Sequence, residues 1–284
     1  MKIRILPESN YKAIHLNDGK TIRLALDQSK PITDLVYPEF YDVKVTSYCR
    51  GNCPYCYQSS TTEIQHTQGL AYKFEKFFGK MTSNQLPFQI AFGGGEPTTH
   101  PEFIDLMRCC KRMGIVPNYT TNGMWEDDTI VDATIELCGG VAISCHPHLI
   151  KYWKPSLEKL LTAGIHTNIH CIISDNESVN KFSELYKEYT GRVKYFVLLP
   201  MAAQGRSLTE FSDWRYLEKS INGSPADIAF GAGFHSYLAA EPKRFNVSIY
   251  EPESMSAYLD LETMKVYKSS FSSEERIIGD AGYL

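Results

Sequence analysis

The 284-residue chain has no long hydrophobic run. Its longest apolar stretch, around residues 195–203, is interrupted by Pro200 and is far shorter than the ~20 residues that a membrane-spanning helix needs. The opening residues, MKIRILPESNYKAIHL, carry charges but lack the apolar core of a secretory signal. We therefore expect a cytoplasmic protein that has no membrane partner.

A strong excess of either charge is also missing. With 29 basic and 33 acidic residues the formal net charge is −4, so no overall field attracts nucleic acid or an anionic membrane. A local basic patch could still bind nucleic acid, which therefore stays among the possible partners. A hydrophobic content of 43% and a charged content of 22% argue against disordered chains, and the length suits one large domain with small additions.

From about residue 40 to residue 220, short β-branched or apolar runs alternate with longer helical patterns. This order is typical of an α/β fold in which helical crossovers join parallel strands. The predicted strands cover residues 41–46, 88–92, 116–120, 140–144, 166–173 and 194–199. The predicted helices lie near residues 65–83, 101–113, 126–138, 151–163, 177–190 and 207–220. Six strand–helix units result.

The two ends differ from this central region. Residues 10–27 place Asn17-Asp18-Gly19 between two alternating runs, which predicts a tight antiparallel hairpin. Near the C-terminus, the runs 257–260 and 265–269 flank a short Leu-Glu-Thr-Met link and predict a second hairpin. We therefore divide the chain into an N-terminal extension (1–39), a central region (40–221) and a small β-rich C-terminal module (222–284).

Three of the eight cysteines lie close together in TSYCRGNCPYCYQ, directly after the first central strand. Without a secretory signal, cysteines are expected to stay reduced and to be structural, metal-binding or reactive. An iron–sulfur cluster needs converging thiolates, and one that performs chemistry leaves an iron without a protein ligand. Cys49, Cys53 and Cys56 fit that requirement. Zinc is the alternative, and it needs a fourth ligand such as His66 or a distant cysteine.

The segment IAFGGGEPTTHPEF follows the second central strand. Its three consecutive glycines let the backbone approach a ligand closely, Glu96 can accept a hydrogen bond from a cationic group, and Pro97 fixes the turn. Taken alone, such a segment is more often a tight connection between a strand and a helix.

Together, the CxxxCxxC and GGE-P segments resemble the radical S-adenosylmethionine (SAM) superfamily over roughly residues 40–220. The resemblance implies a partial (β/α)6 barrel and one [4Fe–4S] cluster, held by Cys49, Cys53 and Cys56, whose open iron is chelated by SAM. It also implies the activity: SAM is cleaved reductively to a 5′-deoxyadenosyl radical, which abstracts hydrogen from a substrate.

The same resemblance implies which residues bind SAM. It places Gly94, Gly95 and Glu96 at the methionyl amino group and Tyr55 against the adenine. Four strand ends complete the predicted pocket, and the residues that represent them are Asn122, Ser144, His170 and Pro200. An ordinary Asn-Gly turn is the alternative for Asn122, and a buried, hydrogen-bonded core histidine is the alternative for His170. Gly205-Arg206, after the sixth strand, resembles a segment that lies near the adenine and ribose.

The C-terminal module has the outline of the SPASM or twitch modules found in peptide-modifying members of this family. No cysteine follows Cys171, so a twitch-like cap here has no ligands for a second cluster; an unrelated extension that closes the barrel is the alternative. The glycines at 231 and 233 predict substrate contact near Phe234 and His235, because they permit close approach. We interpret the five cysteines outside the triad as packing residues.

These observations predict a radical SAM enzyme that modifies a peptide or protein. The alternative is a nucleotide, nucleobase or small metabolite, for which Lys243, Arg244 and Arg206 could supply basic residues. A non-catalytic iron–sulfur or zinc module is disfavoured because both motifs are retained. The resemblance implies a flavodoxin or ferredoxin as electron donor, and no residue is assigned to the reaction on the substrate.

Overall fold

The computed structural model describes residues 1–16, 19–125, 128–211, 213–221, 227–240 and 255–278. Its N-terminal part is a three-stranded antiparallel sheet of β1 (Lys2–Leu6), β2 (Tyr11–His15) and β3 (Thr21–Ala25). The predicted hairpin is confirmed as β2 and β3, although Asn17 and Asp18 lie outside the described residues. The sequence pattern did not predict β1, because the charged residue Arg4 lies on its buried face. The carbonyls of Tyr37, Pro38 and Asn84 accept hydrogen bonds from the Arg4 side chain.

Six parallel strands form the central sheet, each within two residues of its predicted bounds. They are β4 (Phe40–Thr46), β5 (Gln89–Gly94), β6 (Val116–Thr121), β7 (Gly140–Ser144), β8 (Thr167–Ile173) and β9 (Tyr195–Pro200). Each pairs in parallel with the next. The crossovers carry α1 (Leu70–Phe78), α2 (Phe103–Arg112), α3 (Thr129–Leu137), α4 (Ile150–Thr162) and α5 (Asn176–Tyr189), and α6 (Trp214–Ser220) follows β9. This is the architecture of the expected partial (β/α)6 barrel.

Two helices begin five or more residues after their predicted starts. Helix α1 begins at Leu70, not near residue 65, because Gly69 has a left-handed φ of 73° and the Glu102 carboxylate accepts hydrogen bonds from the N–H groups of Gly69 and Ala71. Helix α6 begins at Trp214, not near residue 207. There the Asp213 side chain accepts a hydrogen bond from the N–H of Tyr216 and so caps the helix.

The C-terminal segment adds a strand to each edge of the central sheet. β10 (Ile228–Phe230) pairs in parallel with β9, and α7 (His235–Ala240) follows it. β11 (Ser256–Asp260) pairs in parallel with β4 and in antiparallel with β12 (Lys265–Tyr267), which confirms the second hairpin. The resulting sheet has nine strands in the order β10-β9-β8-β7-β6-β5-β4-β11-β12.

Strand alternation separates the packed core from an open interior. On β4, Tyr41, Val43 and Val45 are buried toward α1, where the Tyr41 ring contacts Phe77 and Phe78. Residues that face the other side, such as Asn118, Thr120, Asn168 and His170, are only half-buried. The inner face of the sheet therefore carries half-buried polar side chains beside apolar ones such as Ile172 and Val197.

The cysteines outside the triad are packed as the sequence predicted. Cys109, Cys110 and Cys171 are buried in the main core, and Cys138 and Cys145 pack against it. None of the helices in the described ranges is long and apolar enough to cross a membrane.

Candidate active site

The cysteine loop, residues 47–61, begins where β4 ends and is closed at its base by backbone hydrogen bonds. The N–H of Cys49 donates to the carbonyl of Thr61 at 3.0 Å, and the N–H of Thr61 donates to the carbonyl of Ser47 at 3.2 Å. Inside the loop, the N–H of Cys56 donates to the carbonyl of Cys53 at 3.2 Å and tightens the turn between two of the thiols. The backbone thus holds all three cysteines at the carboxyl edge of the sheet.

Cys53 is buried, Cys49 and Cys56 are half-buried, and the thiols are close enough to influence one another electrostatically. Burial, with Cys49 and Cys56 as neighbours, raises the pKa of Cys53 to about 12, and burial raises that of Cys49 to about 11. Two N–H groups point at the Cys49 sulfur: the backbone N–H of Gly51 at 3.3 Å and Nδ2 of Asn122 at 3.5 Å. Such donors stabilise a thiolate, so the site suits cysteines that lose their protons to a bound metal cluster.

The zinc alternative finds little support here. Among the residues that the structure describes, no three His, Cys, Asp or Glu side chains form a preformed metal-ion site, the cysteine triad included, so no fourth ligand completes a zinc site around these thiols. His66, the suggested fourth ligand, has Nδ1 3.1 Å from the Thr46 hydroxyl and packs its ring against Tyr48 and His100.

The glycine segment at the end of β5 packs directly against the cysteine loop. A Cβ on Gly94, whose φ is 112°, would lie 2.5 Å from the carbonyl oxygen of Thr46, and one on Gly95 would lie 2.1 Å from that of Tyr48. The N–H of Gly95 donates to the Thr46 carbonyl at 2.6 Å. These two glycines therefore allow contact between two loops, whereas Gly93 faces open space.

The carboxylate of Glu96 is 1% exposed and accepts four hydrogen bonds. Oε1 accepts from the backbone N–H and hydroxyl of Thr98 and from the hydroxyl of Thr121, at 3.3, 2.7 and 2.8 Å. Oε2 accepts from the backbone N–H of Asn122 at 2.7 Å. Burial raises the pKa of Glu96 and these bonds oppose the shift. The carboxylate thus joins the end of β5 to the end of β6, and Oε2 keeps a lone pair for a further donor.

The Thr-Asn-Gly ending of β6 combines a turn with a contact to the cysteine loop. Besides its contact with Cys49, the Asn122 side chain accepts a hydrogen bond from the N–H of Met124 at 2.9 Å. Gly123 has a φ of 76°, and a Cβ there would lie 2.7 Å from Cα of Trp153 in α4. The close packing of this ending against α4 holds the Asn122 amide beside the cysteine loop.

Tyr55 of the cysteine loop contacts two histidines that follow β7. Its hydroxyl is hydrogen-bonded to Nδ1 of His146 at 3.1 Å, and the rings of His146 and His148 stack with centroids 5.8 Å apart. Nε2 of His148 lies 3.3 Å from the carbonyl oxygen of Gly51. Burial, then His148 and His170, lower the pKa of His146 to about 4, so this imidazole is neutral at pH 7.

Sequence reasoning did not assign a role to His146 or His148. The alternation along β7 did put His146 on the same face as Ser144, and that signal could have identified it. His148 left no comparable signal, because it lies beyond the strand in a short 3-10 turn.

Ser144 and His170 are register partners on β7 and β8 and are both half-buried. Burial lowers the pKa of His170 to about 4. Within the described residues neither of its ring nitrogens makes a hydrogen bond, so His170 is not the hydrogen-bonded core histidine that was the alternative. It faces the open interior of the sheet as a neutral imidazole.

Residues at and after the end of β9 contact the C-terminal segment and the cysteine loop. Pro200 lies against Gly233, where a Cβ would lie 2.6 Å from Cγ of the proline. Arg206 reaches the cysteine loop and donates to the carbonyls of Cys53 and Ser60.

Of the two residues near which substrate contact was predicted, Phe234 is buried and His235 is half-buried. Phe234 is 0% exposed and packs among Phe211, Trp214 and Tyr237. The glycines beside it allow close approach to β9, since a Cβ on Gly231 would lie 2.5 Å from Cδ2 of Leu199.

The turn of the C-terminal hairpin is anchored beside the cysteine loop. Nζ of Lys44 lies 2.9 Å from both Oδ2 of Asp260 and Oε2 of Glu262. The Ser47 hydroxyl, at the start of the loop, donates to the same Glu262 oxygen at 2.6 Å. These side chains are largely buried, and they connect β4, the loop and the hairpin.

Comparison with protein families identifies the class. The sequence model of the Radical SAM superfamily matches residues 43–188, just over half of the chain, and the chain therefore belongs to this superfamily. Enzymes of this family use a [4Fe–4S] cluster and SAM. Comparison with curated proteins found no match.

Solved structures share the fold. SuiB from Streptococcus suis with bound S-adenosylmethionine aligns with a TM-score of 0.64 and 14% identity, covering 84% of this chain and 63% of SuiB. SuiB bound to its precursor peptide SuiA gives 0.68 and 13%, covering 88% and 66%. The chain thus spans less than two thirds of SuiB. The enzyme anSMEcpe with bound AdoMet gives 0.59 and 17%, covering 84% and 73%.

Proposed function

We propose that Cys49, Cys53 and Cys56 hold one [4Fe–4S] cluster and leave one iron open to SAM. When bound, the cluster and SAM supply a 5′-deoxyadenosyl radical that abstracts hydrogen from the substrate. The observation that carries this assignment is the gathering of three free thiols on one loop, with two N–H donors aimed at Cys49 and the glycine segment packed against the loop.

The SAM pocket is proposed to lie along the neighbouring strand ends. The free lone pair of Glu96 Oε2, with the backbone of Gly94 and Gly95, would receive the methionyl amino group. The hydrogen bond between the Tyr55 hydroxyl and Nδ1 of His146 fixes the Tyr55 ring that would lie against the adenine.

Three more residues complete the proposed pocket. The inward-facing Ser144 and the neutral His170 would hydrogen-bond the remaining polar groups of SAM. Asn122 supports the pocket from the side of the cysteine loop. Pro200, which contacts Gly233 at the end of β9, is also assigned to the pocket.

A peptide or protein is the proposed substrate. Support comes from the shared fold, because similar structures hold the SuiA precursor peptide and, in anSMEcpe, the Kp18Cys peptide. The nucleotide alternative relied on three basic residues. Of these, Arg206 is bound to carbonyls of the cysteine loop, and Lys243 and Arg244 lie outside the described residues.

The experiment is anaerobic reconstitution followed by product analysis with perdeuterated candidate peptides. We expect 5′-deoxyadenosine from the wild-type protein and a reductant, with deuterium incorporated when a true peptide substrate is present. The Cys53→Ala variant should form no 5′-deoxyadenosine, because two thiolates cannot hold the cluster. Cys138→Ala, which removes a half-buried thiol beside α3, is the matched control and should keep activity.

Two results would contradict the proposal. A cluster signal that persists when all three cysteines are replaced would overturn the ligand assignment. Deuterium transfer from small metabolites but from no peptide would overturn the substrate class while leaving the cluster assignment intact.

A further inference from the structure

Arg206 contacts the cysteine loop through three of its own N–H groups. The backbone N–H donates to the carbonyl of Cys56 at 3.0 Å, Nε to the carbonyl of Cys53 at 2.9 Å, and Nη1 to the carbonyl of Ser60 at 2.8 Å. One residue, about 150 positions away in sequence, therefore connects three points of the loop that carries the cysteines. Two of those carbonyls belong to the proposed cluster ligands.

The preceding residue must be glycine for this contact to form. Gly205 has a φ of 63°, a conformation that side chains rarely adopt. A Cβ at this position would lie 2.3 Å from the carbonyl oxygen of Tyr57 and 2.4 Å from that of Cys56. The connection between β9 and α6 is thus pressed against the loop backbone.

The guanidinium of Arg206 is half-buried and pairs with no carboxylate among the described residues. All of its described hydrogen bonds go to carbonyl oxygens, which leave its charge uncompensated. The charge lies close to the cysteines, because Nε is 2.9 Å from the carbonyl oxygen of Cys53, one of the proposed ligands.

A nearby cation has a definite effect on a cluster held by three thiolates. Reduction adds one electron and makes the cluster more negative, so a positive charge favours the reduced state and raises the midpoint potential. Hydrogen bonds that fix the backbone of the ligands also keep the thiolates in place, and loss of such outer contacts weakens metal binding.

We infer that Arg206 is a positioning residue for the cluster: its forked side chain holds the cysteine loop in place, and its charge raises the cluster's midpoint potential. This inference rests on the proposed assignment of Cys49, Cys53 and Cys56. The charge and the fork can be separated by substitution, since lysine keeps the charge without the planar fork and glutamine keeps a donor without the charge.

The test compares reconstituted wild type, Arg206→Lys and Arg206→Gln. Midpoint potentials are measured by redox titration monitored by electron paramagnetic resonance, and iron release to a chelator is timed. In Arg206→Gln we expect a more negative potential and roughly ten-fold faster iron release. In Arg206→Lys we expect a potential close to wild type but faster iron release.

Arg192→Gln is the matched control, because Arg192 pairs with Glu158 on the surface and should change neither quantity. Thermal melting of each apoprotein checks folding. If Arg206→Gln does not fold, iron release from Arg206→Lys still tests whether the planar guanidinium holds the loop. Wild-type potential and iron release in both Arg206 variants would overturn the inference while the cluster assignment stands. A wild-type protein that assembles no cluster would overturn the assignment itself.

Discussion

The carboxylate of Glu96 joins two strand ends through hydrogen bonds to protein groups. Its four hydrogen bonds connect the glycine segment to Thr121 and Asn122, and Asn122 in turn reaches the sulfur of Cys49. One residue thus combines a structural role with its proposed contact to the methionyl amino group.

Replacing Glu96 with glutamine tests both roles. An amide nitrogen in place of either oxygen would face an existing donor, so we expect the free energy of unfolding of the apoprotein to fall by about 1–3 kcal/mol. Loss of the charge should also weaken SAM binding by about 1.5–3 kcal/mol. Calorimetric titration of the reconstituted protein with SAM, with denaturant unfolding, measures the two effects.

The matched control is Glu102→Gln, whose carboxylate also accepts backbone hydrogen bonds but lies at the start of α1. It should lower stability and leave SAM affinity unchanged. Unchanged SAM affinity in Glu96→Gln would move the amino-group site elsewhere.

At the scale of helices and strands, a buried ion pair connects the turn of the short C-terminal hairpin to β4. Lys44 has a side-chain exposure of 15% and pairs with Asp260 and Glu262, whose side chains are exposed by 11% and 12%. Burial lowers the pKa of Lys44, but the bonds to the two carboxylates outweigh it and the net shift is upward. The pair therefore favours the charged lysine and holds β11 and β12 beside β4.

Removing one partner of this network should be costly. For Lys44→Met we expect a loss of about 3–5 kcal/mol in the free energy of unfolding, because two carboxylates are left buried without a cation. Lys265→Met is the control: its partner Glu275 is half exposed, so the loss should be at most about 1 kcal/mol. Equal losses in the two variants, measured by denaturant titration, would contradict this account of the hairpin.

At the same scale, the sequence predicted the positions of the strands better than the tertiary contacts between them. Periodicity placed β4 to β9 within two residues, and the chemistry of sulfur and glycine identified the two loops that follow β4 and β5. It could not show that Gly95 packs against the Tyr48 carbonyl or that Tyr55 pairs with His146, because those contacts join strands far apart in sequence. β1 was not predicted for a related reason: the carbonyl partners that allow Arg4 to be buried come from distant loops.

In the molecule as a whole, the parallel order of the strands brings the candidate site together. Each carboxyl end from β4 to β9 lies at one edge of the sheet, and the cysteine, glycine and Thr-Asn-Gly segments all start there. The C-terminal strands extend both edges of this sheet. Whether residues 222–284 act as a separate cap remains a prediction, as does their part in the substrate site.

The central claim is that three cysteines hold a cluster whose remaining iron is open to SAM. Electron–nuclear double resonance of the reduced wild-type protein, mixed with SAM carrying ¹⁵N in its amino group, tests it directly. The account predicts a ¹⁵N coupling to the cluster spin that is absent with unlabelled SAM. A reduced [4Fe–4S] signal without any ¹⁵N coupling at saturating SAM would contradict it.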